Sequence, residues 1–511
     1  MSNQTMDLPE ICLYAVILFV STLLILGIYK RKRSHIPSPP GPFALPVIGH
    51  LHLLGPRIHH TFHDLSQRYG PLFQLSLGSV RCVVVSTPEL AREFLKTHEL
   101  VFSSRKHTTA IDIVTYESSF AFSPYGPYWK YIKKLCTYEL LGARNLANFE
   151  PVRNVEIKDF LKVMSNKANT GEIVNVTEEL VKLTSNVISH MMLGIRCSGT
   201  EGEAEAARNV IRDVTQIFGE FDVSDIIWFC KNFDLQGIRR RSEDIQKRYD
   251  GLLEKIITDR EKTRGGGGGG VKDFLDMLLD VMDSKNSDVK FTREHLKALI
   301  LDFFTAGTDT TAIAVEWSIA ELLRNPKVIK KAQQEIDNVV GSQRLLQESD
   351  APKLPYIMAI IKETFRLHPP IPMISRKSVS DCAINGCMIR ANTLLFVNIW
   401  SIGRNPMYWE RPMEFRPERF LDPGCGSIDV KGQNFELMPF GTGRRGCPGM
   451  LLAMQELVAI IGAMVQCFEW QLPDDSQDVD MTERPGLTAP RANDLFCRVV
   501  PRVDVAVVSG N

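Results

Sequence analysis

The chain has no excess of charge of either sign: 60 basic residues meet 60 acidic ones among 511. That balance removes the global attraction a nucleic-acid partner would need. It has no paired CxxC spacing. Its eleven cysteines, Cys12, Cys82, Cys136, Cys197, Cys230, Cys382, Cys387, Cys425, Cys447, Cys467 and Cys497, show neither the rhythm of a secreted disulfide scaffold nor the Cys/His grouping of a zinc site. Reduced thiols, and hence a cytosol-facing body, are expected. No strand-to-helix turn carries a nicotinamide or flavin fingerprint, and GGGGGG at 265–270 lacks the Lys-Ser/Thr pair of a phosphate loop, so it reads as a surface loop. No internal repeat and no second domain boundary stand out.

One long apolar run is present. ICLYAVILFVSTLLILGIY, residues 11–29, would as a helix approach the roughly 30 Å of a bilayer core. Asp7 and Glu10 precede it and Lys30, Arg31, Lys32 and Arg33 come after it, a bias that keeps the downstream chain in the cytosol. The competing reading is a cleaved signal peptide, against which stands a basic cluster placed after the run rather than before it. PSPPGPFALPVIGH, residues 37–50, comes next as a stiff extended arm. Residues 71–86 read as strand, Gly-Ser turn and strand, and 382–398 as further short strands. Apolar spacing of three and four predicts helices over 88–100, 174–194, 203–218, 242–262, 292–324, 327–340, 355–368 and 450–468. A mainly α body with a small β-sheet region is the expectation.

Three patterns carry chemistry. In PFGTGRRGCPG, Pro439 to Gly449, Cys447 stands just before an apolar helix, whose N-terminus favours an anion. Arg444 and Arg445 add positive charge, and both effects lower a thiol pKa. Glycines 441, 443, 446 and 449 let backbone approach something flat and bulky. A thiolate, a close backbone and an anion-binding arginine together describe a haem iron ligand beside a propionate partner; the alternative is a buried structural cysteine. The second pattern places Glu363 and Arg366 three apart on one helix face, with Arg419 of FRPERF as a third member of a buried charge network. Alone, such a pair is more often a weak surface contact. In the third, AGTDTT, small Ala306 and Gly307 open space on one helix face, while Asp309 and Thr310 put an acid and a hydroxyl where helix propensity disfavours them. Oxygen activation needs such room and a proton source; the alternative is a hydroxyl bonded back to the preceding turn.

In this order, behind an amino-terminal anchor, the three patterns resemble the cytochrome P-450 family of haem-thiolate monooxygenases over nearly the whole chain. The resemblance implies that fold, with Cys447 as the axial metal ligand and Phe440, Gly443, Arg445 and Gly449 around haem b. It implies a structural triad of Glu363, Arg366 and Arg419, and an oxygen-activating pair, Asp309 and Thr310. Trp129 matches the family's helix tryptophan near a propionate, Arg376 matches the cofactor-binding basic residue after the ligand-facing strand, and Lys133 stands where an arginine is usual. A lysine there keeps the charge and loses the bidentate fork. Dioxygen, and electrons from NADPH through a separate NADPH-cytochrome P-450 reductase, are implied as well. A basic face of Lys130, Lys133, Lys134, Arg444 and Arg445 is the expected docking surface, or else a solvated helix face.

Within that family, YESSFAFSPYGPYWKYIKKL, TEELVKLTSNVISHMMLG, RDVTQIFGEFDVSDIIW, LDFFTAGTDTTA and ETFRLHPPIPMISRK resemble the plant type II flavone synthases and flavanone 2-hydroxylases. Isoflavone synthases typically show serine and lysine where this chain has Thr310 and Ser375. The implied substrates are flavanones such as naringenin, liquiritigenin or eriodictyol. The implied pocket residues are Ile111, Phe122, Phe218, Phe221, Ala306, Ile371, Met373, Leu487 and Thr488, each of which, taken singly, is also a plain core candidate. The expected organisation is a lumenal tip and transmembrane anchor at 1–29, a basic stop and proline-rich hinge at 30–50, and a catalytic body at 51–511 facing the cytosol from the endoplasmic reticulum membrane. Flavanone 2-hydroxylation is the first alternative to C2–C3 desaturation. A reductase-independent haem-thiolate isomerase or dehydratase and a non-catalytic haem sensor are the others.

Overall fold

Val, Leu and Ile runs flanked by turn residues build the sheets. The computed structural model describes residues 36–196, 202–264, 272–284, 289–473 and 478–505. The apolar run at 11–29, its basic flank and the hexaglycine segment lie outside the described residues. Strands β1 (Leu72–Leu77) and β2 (Val80–Val85) pair antiparallel across a turn whose Gly78 has φ +57°. They join β7 (Leu394–Asn398) and β4 (Met373–Lys377) in a four-stranded sheet of order β1-β2-β7-β4, with β2 and β7 parallel. The hairpin β5 (Cys382–Ile384) and β6 (Cys387–Ile389) stands apart. A third sheet orders β3 (Val174–Asn175), β9 (Phe496–Pro501) and β8 (Phe468–Gln471).

Helices make up most of the body. Those that shape the site and its surroundings are α1 (Ile58–Tyr69), α2 (Pro127–Lys134), α3 (Glu150–Thr170), α4 (Val176–Leu193), α5 (Gly202–Gly219), α6 (Ile238–Thr263), α7 (Arg293–Gly307), α8 (Asp309–Arg324), α9 (Pro326–Val339), α10 (Pro355–Leu367) and α11 (Met450–Cys467). Their ends obey local chemistry. Asn175 accepts the Glu178 amide at the start of α4, Gly194 closes it with φ +67°, and Thr292 with His295 forms a capping box on α7. Helix α8 is buried among α4, α10 and α11. Its Trp317 stacks on His368 at 4.1 Å and donates to Ala489 O at 2.9 Å. The stretches 293–324 and 450–467 are long and apolar enough to cross a membrane, yet both lie mostly inside the body as core helices.

Two expectations change. The single helix over 292–324 is broken at Thr308, where ψ reaches −66° and the flanking backbone hydrogen bonds stretch to 3.3 and 3.4 Å. Thr310 Oγ1 donates to Ala306 O at 2.6 Å, competing for the carbonyl that continued helix would use. Gly307 does not open space either. A Cβ there would lie 2.6 Å from Ile188 Cδ1, so its smallness lets α4 approach; only Ala306 has open surroundings.

Where α8 meets α11, Thr311 Oγ1 lies 3.3 Å from Glu456 Oε2, and Glu456 Oε1 has no partner. Burial, opposed by Arg153, raises this carboxyl to about 8, and nearby Glu348 adds to the rise. A carboxyl raised from 4.5 contributes stability that is complete below pH 4.5 and is lost as pH climbs through about 8. Unfolding titrations should therefore show stability falling with pH across that window by at most about 1.4 kcal/mol per unit. Glu456→Gln should flatten the slope; an unchanged slope would assign it to other groups.

Candidate haem site

The Cys447 turn is held from several sides. Its amide donates to Phe440 O at 2.9 Å, and Lys133 Nζ donates to Gly446 O at 2.8 Å. Phe440 packs edge-on against Phe365 at 5.3 Å. Gly441 and Gly443 adopt φ of +68° and +66°, which glycine tolerates, and a Cβ on Gly443 would collide with the Glu99 carboxylate that braces Arg444. Gly449, just before α11, needs no left-handed backbone. A Cβ there would lie 3.8 Å from the sulfur, at ordinary van der Waals contact.

Cys447 has open surface although its neighbours Arg445 and Leu452 are buried, and protein surrounds it at longer range. Both hold for a side chain facing an internal concavity. Burial raises its pKa, and the Gly449 amide, Lys133 and Arg105 pull it back. The expected lowering by Arg444 and Arg445 is thus corrected. Arg444 points outward to Glu99, and Arg445 lies flat on Trp129, 4.4 Å from the ring centroid.

Three guanidinium groups gather here. Arg445 Nε donates to Ser103 O at 2.9 Å and its Nη2 to Ser123 O, while Nη1 has no partner. Arg376, on β4, donates to Ser375 O at 2.8 Å. Arg105 is half-buried with its Nε enclosed and unpartnered. Burial, and then the charge of Arg105, pulls Arg445 down to about 9. Burial lowers Arg376 as well, with Arg105 and Arg445 adding to the effect. Three mutually repelling cations, two of them with an orphaned N–H, fit a doubly anionic edge such as the two propionates of haem. The thiol and this cation set therefore fit that group. Arg105 carries no motif signal in SSRKHTT, and only its burial beside the other cations identifies it.

On α7, Ala306 has open surface between buried Phe304 and Thr308. Thr310 is half-buried and already bonded to Ala306 O. Asp309 is raised by burial and offset by Arg484 and Arg212. One turn before Ala306, Asp302 accepts Ser119 Oγ and the Phe120 amide, each at 2.6 Å, tying the loop before α2 to α7. Burial lifts its carboxyl to about 6.

The triad forms as expected. Arg366 makes two 2.7 Å bonds to Glu363, and Arg419 Nε makes a third at 3.0 Å. All three are at most 2% exposed. Arg366 also donates to Gly403, Pro412 and Glu414 carbonyls, so the network ties α10 to the loops that lead toward the Cys447 turn.

The pocket set divides. Phe122 and Phe218 meet edge-on at 6.3 Å, with Arg105 5.9 Å from the Phe122 ring. Ile111 is buried, Met373 begins β4, and Thr488 is half-buried. Phe221, Ile371 and Leu487 are more than a third open. The expected docking face shrinks: Lys133 and Arg445 turn inward to Gly446 and Trp129, leaving Lys130, Lys134 and Arg444 outside. A separate polar cleft of about 460 Å³, lined by Tyr116, Asp250, Arg293 and Lys297, shares no residue with this site.

The family model for Cytochrome P450 matches residues 39–498. Cytochrome P450 93B2 of Gerbera hybrida is 58% identical, covering 97% of this chain and 98% of its own. A 2-hydroxyisoflavanone synthase of Glycyrrhiza echinata is 44% identical, with 96% and 97% covered. The structure of a zebra fish cytochrome P450 with progesterone superposes with a TM-score of 0.76 at 26% identity, covering 87% of this chain and 99% of that one. Members of this family bind haem and dioxygen and draw NADPH-derived electrons from a reductase. The chain belongs to the cytochrome P450 family.

Proposed function

We propose that the protein is a membrane-attached flavanone oxidase that converts flavanones to flavones by C2–C3 desaturation, with 2-hydroxylation as the competing outcome. One observation carries the substrate class: Phe122 edge-on to Phe218, with the Arg105 guanidinium behind, makes a wall suited to a flat phenolic ring. The kinship to a 2-hydroxyisoflavanone synthase supports the same class. Thr310 and Ser375 favour desaturation over aryl migration, since isoflavone synthases typically carry serine and lysine there.

Bound haem supplies the oxidising chemistry, and the balance is one flavanone, one dioxygen and NADPH with a proton giving flavone, two waters and NADP⁺. Cys447 would hold the iron, while Arg105, Arg376 and Arg445 would hold the propionates. Trp129 supports Arg445 from beneath, and Lys133 holds the carbonyl before the cysteine. Ala306 leaves room for oxygen. Thr310 Oγ1, released from Ala306 O, is the atom that holds and passes a proton, and Asp309 resupplies it. The pose of C2 decides between losing the C3 hydrogen and gaining hydroxyl.

Microsomes carrying the protein and a reductase, fed naringenin and NADPH, test this directly if products are separated before any acid treatment. Flavone formed without acid supports desaturation. A 2-hydroxyflavanone that yields flavone only on acidification replaces it, and an isoflavone precursor overturns both. Thr310→Val keeps the shape and removes the hydroxyl. Flavone formed per NADPH consumed should fall about a hundredfold while NADPH oxidation continues, and Thr310→Ser should keep most of the coupling. Unchanged coupling in the valine variant would leave the hydroxyl only its backbone bond.

In the same proposal, residues 1–29 are the anchor, 30–50 the hinge and 51–511 the body at the endoplasmic reticulum membrane. Exposed Trp228, Phe229, Phe233 and Leu235 support it, together with Phe43, Leu45 and Val47. Ser79 N donates to Ile226 O at 2.9 Å and Gly78 N to Ile48 O at 3.1 Å, so both apolar sets flank the β1–β2 turn. Contiguous apolar surface of this kind meets membranes or partners. In nanodiscs, lipid-borne bromine should quench tryptophan emission, and Trp228→Phe should remove the quenched component. Quenching unaffected by that variant would detach this surface from the bilayer.

A further inference from the structure

Helix α1 and the hairpin from Glu483 to Arg491 converge on a cluster that shares no residue with the haem site. His59 Nε2 lies 2.6 Å, and His60 Nε2 3.0 Å, from the same Glu483 Oε2, and the ligand atoms all fall within 4.8 Å of one another. The other carboxylate oxygen is fixed by Trp400 Nε1–H at 2.9 Å, and Asn398 Nδ2 holds the His59 carbonyl at 2.8 Å. His59 and Glu483 are buried, whereas about a third of the His60 ring is open, giving a path in.

Two imidazole nitrogens and one carboxylate oxygen, with one side toward water, form the ligand set of an open zinc site. We propose that His59, His60 and Glu483 bind a zinc-class divalent cation, with water in the fourth position on the open side of His60. Bonds of about 2.0–2.1 Å in a tetrahedron put ligand atoms roughly 3.3 Å apart, so small side-chain rotations suffice. Trp400, by orienting the carboxylate, is the outer partner such sites need. Burial keeps His59 below its ordinary pKa, in the neutral form that ligates. Arg404, stacked on Trp400 at 3.9 Å, opposes the dication and limits affinity. His63 is bonded to Ser401 Oγ at 2.8 Å and also adjoins Trp400, so it stands beside the cluster without joining it. Metal would pin α1 to the hairpin that carries Leu487 and Thr488.

The test uses the full-length, haem-loaded protein, stripped of loose metal and titrated with zinc chloride against a chromophoric chelator. A Cys382→Ser background removes the other soft pair, Cys382 Sγ with His98 Nδ1 at 3.3 Å. One zinc per chain is expected, with a zinc-dependent rise in Tm. His60→Ala, on the half-open ring, and Glu483→Gln, which preserves shape, should each weaken binding at least about a hundredfold and abolish the Tm rise. His107→Ala, at the unrelated His107–Asp112 pair, should change neither. No zinc uptake, or uptake equal in His60→Ala and the parent, would reduce the cluster to a hydrogen-bonded latch and overturn the proposal.

Discussion

Glu363→Gln is expected to leave little recoverable haem-loaded protein, although the residue belongs to neither the pocket set nor the cation set around the haem. The substitution keeps the shape and removes the charge that Arg366 and Arg419 share in a region at most 2% exposed. Leaving a buried ion uncompensated costs about 3–5 kcal/mol, a large share of the roughly 5–15 kcal/mol that holds a folded protein together. Arg419→Lys should be milder. It retains a charge near Glu363 and loses the guanidinium bonds to the Glu410 and Arg411 carbonyls. Thermal unfolding and the haem content of each variant decide the matter: a Glu363→Gln protein with parental haem content and Tm would show that the triad is dispensable.

The Cys447 turn, the triad and the strands near β1 and β2 were legible because each rests on a local rule. Glycine is favoured where φ is positive, a charge pair fits i and i+3, and β-branched runs bracket a Gly-Ser turn. The back-bond of Thr310 Oγ1 to the Ala306 carbonyl was among the readings of AGTDTT, but the break it accompanies at Thr308 was not legible in a pattern that continues apolar on both sides. Helix α3 went unpredicted for a different reason. It buries Arg153 and Glu156, whose charges read as a solvent face, and Arg153 is matched 195 positions away by Glu348 through a 2.6 Å bond from Nη2.

Arg105 shows the same limit at the site itself. Nothing within SSRKHTT separates it from its neighbours, and its meaning lies in its place beside Arg376 and Arg445, which chain folding alone brings together. Gly307 shows the converse. Its local reading as open space failed because the neighbour that fills the space, Ile188, belongs to α4. Tertiary proximity, more than residue type, separates the residues that were found from those that were missed.

In the function we propose, reactivity depends on one sulfur, that of Cys447, which stands just before α11. The reduced protein gassed with carbon monoxide tests that most directly. The parent should give the long-wavelength Soret band of a thiolate-bound haem and Cys447→Ser should lose it, with haem still retained in part by the three arginines. A parent without that band, or a serine variant that keeps it, would contradict iron ligation by Cys447.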